Sequence, residues 1–123
     1  MQEHASAGIE GLAFLYQIIR NSTFPVVLTR ARDGRILAVS AEWSQLSGYA
    51  HDDAVGHTTI ELGFWFDEQL RSHNINEFLT RGCAYMAETQ MPTADGRHVT
   101  ASTHSSCIEV GDEQYVLVHV AKV

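Results

Sequence analysis

Asp33-Gly34-Arg35-Ile36-Leu37-Ala38-Val39-Ser40-Ala41-Glu42-Trp43-Ser44-Gln45-Leu46-Ser47-Gly48-Tyr49-Ala50-His51-Asp52-Asp53-Ala54-Val55-Gly56 passes from a tight turn through a short strand into a short helix. Asp33-Gly34 is a turn dipeptide, because glycine supplies positive φ and aspartate can hydrogen-bond its own backbone. The runs on either side, Pro25 to Arg30 and Ile36 to Val39, are β-branched or apolar and of strand length, which predicts two paired strands. Ser40 stands where a helix N-cap belongs, and Trp43 and Leu46 fall three apart on one helical face. Gly48 ends that helix.

This stretch resembles the start of a PAS domain, and Asp33, Gly34, Trp43, Leu46, Gly48, Tyr49, Asp53, Val55 and Gly56 carry the resemblance. The family more often has Asn at the position of Ser40 and Glu at that of Asp53; both changes keep the capping chemistry. The resemblance continues through Trp65-Phe66-Asp67, Arg71, Leu79, Gly82, Glu88, Asp95-Gly96-Arg97 and Gly111 to Tyr115, so it covers residues 22 to 120. It implies an α+β fold, a PAS-like five-stranded antiparallel sheet flanked by short helices, with an N-terminal amphipathic helix. Residues 1–21 would form a helical cap and 22–123 the PAS domain.

With 123 residues, 45% of them hydrophobic, the chain fits one domain with its own core. No apolar stretch approaches the ~20 residues that span a bilayer and no leader peptide opens the chain, so a cytoplasmic protein without membrane association is expected. The net charge of −7 and the lack of a basic cluster leave out the electrostatic footprint of a nucleic-acid binder. Cys83 and Cys107 are too few for a disulfide scaffold, and their strand-like surroundings suggest reduced, buried thiols.

Residues 1 to 7 are small and polar and are expected to fray, and a helix is predicted over Ile9 to Arg20. Its residues Ile9, Leu12, Ala13, Tyr16 and Ile19 share one face, while Phe14, Leu15 and Ile18 widen the apolar arc. Such breadth suggests burial on two sides, against the chain's own sheet and against a second copy in a homodimer, for which Ile9, Leu12, Ala13, Tyr16 and Ile19 are the interface candidates. After the break at Asn21 to Pro25 come the two strands and the helix already described, then short helical turns over His51 to Gly63 and a helix from Asp67 to about Arg81, stopped by Gly82. Three strands follow, Cys83 to Met91, Arg97 to Ile108 and Gln114 to Val120, joined by turns in an antiparallel meander. Apolar residues at both parities of the last two imply that the sheet's outer face is partly covered, with the helix of residues 9 to 20 as the cover.

Specific chemistries find little support. The seven histidines show no His-x-His or His-x-x-x-His pairing, and His98 and His104 lie on one strand face at about 20 Å separation, given ~3.3 Å per residue. No protein-bound metal is expected. Oxygen-sensing PAS domains bind haem through a histidine on the long central helix, which here would be His73; at ~100° per residue it falls about 160° from the middle of the apolar face formed by Ile75, Phe78 and Leu79. Haem is therefore not expected. The Asn-Cys-Arg-Phe-Leu-Gln-like string of flavin-binding relatives is absent, so flavin is not supported either. His104, Ser105 and Ser106 are neighbours on a strand, a poor arrangement for a catalytic triad.

In domains of the resembled family the central helices and inner sheet face enclose a small cavity. The residues here that would reach it are Trp43, Leu46, Tyr49, Ile60, Trp65, Ile75, Phe78 and Leu79, with Trp and Tyr offering polar handles for a ligand. The resemblance implies a sensory, non-catalytic domain. It would bind a small ligand or protein partner and relay its state to an output domain, such as a histidine kinase, a cyclic-dinucleotide enzyme or a transcription regulator. One alternative is a ligand-free dimerisation module. The other is an enzyme of the ketosteroid-isomerase kind, for which Tyr49 with Asp53 or Glu88 are the only loose candidates.

Overall fold

The computed structural model describes residues 2–64, 76–77 and 80–123, with side chains from residue 11 onward. In chain order these form α1 (Gln2–Arg20), β1 (Val26–Arg30), β2 (Ile36–Val39), α2 (Ala41–Ser47), α3 (His51–Ala54), β3 (Cys83–Pro92), β4 (His98–Val110) and β5 (Glu113–Lys122). The strands make one five-stranded sheet in the order β2-β1-β5-β4-β3. Every neighbouring pair is antiparallel. The α1 helix begins at Gln2 instead of Ile9, so the segment expected to fray is helical; Gln2, Glu3, Ala5 and Ala7 are good helix formers. Most of the helix expected from Asp67 to Arg81 lies outside the described residues.

The β1–β2 turn is built by one aspartate. Gly34 takes φ 71°, and the Asp33 carboxylate accepts from the Arg35 amide at 3.1 Å. The same carboxylate takes Arg30 Nε at 3.1 Å and Nη2 at 2.6 Å, a bidentate grip that ties the turn to its own strand. Those guanidinium hydrogen bonds hold the Asp33 carboxyl well below the usual carboxylate range.

Ser40 joins three segments. It is fully buried, and its extended backbone at φ −81° and ψ 159° is that of an N-cap. Its Oγ accepts from Trp43 N at 3.2 Å, as the cap of α2, and from Val26 N at 3.0 Å, at the start of β1. It donates to Phe24 O at 2.8 Å, so its one donor and two acceptor positions are all used. At the other end of α2, Gly48 closes the helix at φ 80°, its N–H donating to Ser44 O at 2.8 Å. Ser47 O, one residue earlier, accepts from Ala94 N at 2.9 Å, linking α2 to the β3–β4 turn.

The sheet is covered on both faces where β1, β2 and β5 lie, which explains the apolar residues at both parities. On the outer face Val26, Leu28, Ala38 and Tyr115 form a buried cluster with Ile19 of α1, and Leu12, Leu15 and Tyr16 pack against it. The cover thus comes from the same chain, and burial pushes the Tyr16 hydroxyl pKa up. Gly11 permits the close approach: a Cβ there would stand 3.1 Å from Val110 Cγ1. On the inner face Val27, Ile36, Val39, Trp43, Ala101 and Val120 belong to a second cluster, beneath α2. No helix among the described residues is long and apolar enough to cross a membrane.

Ser40→Ala removes a cap and leaves buried backbone groups unpaired, so it should lower the unfolding free energy by roughly 2–3 kcal/mol. Urea denaturation followed by circular dichroism measures this, and a loss under roughly half a kcal/mol would contradict the three-way role.

Candidate ligand cavity

Strand register decides which side chains meet beneath the sheet. Val27 pairs with Val118, Val118 with Ser105 and Val120 with Thr103, and Thr103 with Met86, so all six point to the inner face. Between that face and the segment carrying Trp43, Ile60 and Phe64 lies a cavity of about 670 Å³. A bulge shapes one wall: between Met86 and Thr89 the register shifts, setting Ala87 and Glu88 against Ser102 alone and bending β3.

Aromatic packing holds the helical side in place. The Trp43 ring, buried to 1% exposure, stacks on Tyr49 at 6.3 Å and meets Phe64 edge-on at 5.9 Å. Tyr49 and Phe64 close the triangle at 6.3 Å. Among the described residues the charged side chains of the lining are Arg30, Arg32 and Asp33, at and beside the β1–β2 turn. There Arg30 is held by Asp33 at 2.6 Å and Arg32 by Glu113 at 3.0 Å.

Of the residues expected at the pocket, Trp43 lines the cavity and Ile60 lines its exposed rim. Leu46 and Tyr49 pack on the inner core cluster. Trp65, Ile75, Phe78 and Leu79 lie outside the described residues, as does His73. The sheet's own contribution, Met86, Met91, Thr103, Ser105 and Val118 among others, is absent from the sequence-based set. The period-two alternation Thr103, Ser105, Cys107 carried that signal.

On α1, Leu12 and Tyr16 are half-buried against the sheet and Ile19 is buried. Ala13 is exposed, and the side chain of Ile9 lies outside the described residues. The large apolar residues open to solvent are instead Phe14 and Ile18, exposed by 65% and 50%. The face expected to meet a second copy is therefore largely occupied by the chain's own sheet.

Cross-strand pairing also joins residues that sequence spacing separates. His104 and His119 stand directly opposite each other, both exposed on the outer face. Among the described residues no three His, Cys, Asp or Glu side chains gather as a metal site. Ser105 points inward while His104 and Ser106 point outward, and Asp53 and Glu88 are both exposed.

The sequence matches no family model and no curated protein. Solved structures do resemble it. A PAS domain from a two-component sensor histidine kinase aligns with TM-score 0.72 and 13% identity, over 94% of this chain and 98% of that one. A Colwellia psychrerythraea PAS domain aligns with TM-score 0.75 and 20% identity, over 91% and 96%. The PAS domain of an HTR-like protein from Haloarcula marismortui aligns with TM-score 0.70 and 18% identity, over the full length of both chains. The chain has the PAS fold.

Trp43→Ala would empty the space between α2 and the sheet and should cost about 3–5 kcal/mol of stability. Thermal and urea unfolding of the variant test this; retention of near wild-type stability would show that the ring does not anchor the helix.

Proposed function

We propose that this chain is a sensory signal-transduction domain that takes up a small ligand beneath its sheet and relays the bound state to an output domain. The observation that carries this reading is the cavity, about 670 Å³, well within the ~300–1,000 Å³ usual for small-molecule sites. Among the described residues its walls combine aliphatic, aromatic and thioether side chains with the hydroxyls and amides of Thr29, Thr59, Thr89, Gln90 and Gln114. The neighbours in fold agree with such a role: one is the PAS domain of a sensor histidine kinase and another an RNA-binding light-oxygen-voltage receptor. By analogy the output is a kinase, a cyclic-dinucleotide enzyme or a transcription regulator in the cytoplasm. A ligand that packs better against one arrangement of α2 and the sheet would shift the population toward it, and strands continuous from cavity to surface would carry the change outward.

Binding fits the site better than catalysis. The loose enzyme candidates do not converge, since Asp53 and Glu88 stay in solvent and neither lines the cavity. The same reading includes a homodimer, through the outward side of α1. Phe14 and Ile18 lie four residues apart, on adjacent turns of one helical face, and are the apolar pair that water leaves unfavourably exposed there. A ligand-free dimerisation module is the second reading, and it rests on that pair alone.

Two measurements separate these readings. Native mass spectrometry of the purified protein should reveal a mass above the denatured chain, from a retained small molecule; a clean apo mass together with no binding by any small apolar probe would sink the ligand reading. Sedimentation should find a wild-type dimer that Phe14→Asp with Ile18→Asp converts to monomer without loss of helicity, whereas a wild-type monomer at high micromolar concentration would rule out the homodimer.

A further inference from the structure

The floor of the cavity carries two residues, Thr103 and Ser105, whose hydroxyls have no hydrogen-bond partner among the described residues. Thr103 and Ser105 sit two residues apart on β4, so both face inward, between Val120 and Val118 of β5 on one side and Met86 and Ala84 of β3 on the other. Thr103 Oγ1 is buried and has no hydrogen-bond partner among the described residues. Ser105 is 4% exposed, and its hydroxyl makes no hydrogen bond among the described residues. Buried polar groups are ordinarily paired, so the unpaired Thr103 Oγ1, with the Ser105 hydroxyl beside it, marks a place where a partner is missing. Rotation about χ1 exchanges the threonine methyl and hydroxyl between staggered positions, which lets Oγ1 turn to a ligand atom without moving the strand.

The rest of the described lining sets the ligand's character. Met86 and Met91 are flexible thioethers that adapt to an irregular hydrocarbon shape, and the Trp43 ring offers a flat wall. The charged residues of that lining, Arg30, Arg32 and Asp33, lie at and beside the β1–β2 turn. Each arginine there is already paired with a carboxylate. A carboxylate or ammonium group beside Thr103 would therefore lose its water and gain no counter-charge from these residues.

Resting on the ligand-binding reading above, we infer that the cavity takes an uncharged, mainly hydrocarbon molecule whose single ketone or alcohol oxygen is held by Thr103 and Ser105. The hydroxyls serve a ketone as donors, and serve an alcohol as donor and acceptor together. Affinity comes from the apolar body, and orientation from the oxygen.

The test uses the whole chain and a matched pair of fluorescent probes, N-phenylnaphthylamine and its sulfonated analogue anilinonaphthalene sulfonate, with nonanone and nonanoate as competitors at neutral pH. The neutral probe should bind and be displaced by nonanone, with both anions weaker by at least about ten-fold, the factor that a modest electrostatic penalty produces. Thr103→Val should weaken nonanone about five-fold while leaving the neutral probe within about two-fold, as loss of one hydrogen bond predicts. If that variant does not fold, Ser105→Ala makes the same comparison. Val118→Phe, which fills the cavity, should abolish binding of both neutral compounds and so exclude a surface site. Anions that bind as well as their neutral partners, or nonanone affinity unchanged in Thr103→Val and Ser105→Ala, overturn this inference and leave the cavity a ligand site. Failure of every probe to bind overturns the ligand-binding reading with it.

Discussion

The Ser40 hydroxyl stands where β1 begins, β2 ends and α2 starts, and it bonds the backbone of Phe24 just before β1, of Val26 in β1 and of Trp43 in α2. A strand that turns at once into a helix leaves amides with no ladder and no helical partner, and inside a protein each such orphan is costly. One small side chain at the junction satisfies them. Because the junction is fixed, Trp43 enters the interior on the first turn of α2 and meets the sheet at a set height. The aromatic triangle with Tyr49 and Phe64 then keeps the helical side a fixed distance from the strands.

Two opposed demands shape the sheet. Outside, α1 must lie close, and Gly11 opposite Val110 lets it. Inside, α2 must stand off far enough to leave space. The bulge in β3, where Ala87 and Glu88 share one partner position, bends the strand at the far edge of the sheet. A packed cluster outside, and a second cluster beside a cavity inside, are thus built on the same five strands.

How much of this was legible in the chain follows from the range of each interaction. Asp33-Gly34, the Ser40 cap and the Gly48 stop are local chemistry, and each was readable because partner and signal lie within a few residues. The meander was readable from alternation and turn residues. The cavity floor was not, because Met86, Thr103 and Val120 become neighbours only through register between strands distant in sequence. Which side of α1 meets the sheet is not legible either: Phe14 and Ile18 are apolar like Leu12, Tyr16 and Ile19, and periodicity cannot choose between two apolar faces. His104 and His119 were far apart in sequence and meet across a ladder.

The hydrogen bond from Ala94 N to Ser47 O, 2.9 Å long, ties the tip of the β3–β4 hairpin to the last turn of α2. Hairpin and helix are therefore coupled like the two arms of a lever whose pivot is the sheet. A shift of α2 would therefore be felt first at the hairpin tip, from which the long strands β3 and β4 run to the opposite end of the sheet. On the proposed reading, a molecule bound beneath the sheet would thereby gain mechanical purchase on a surface it never touches.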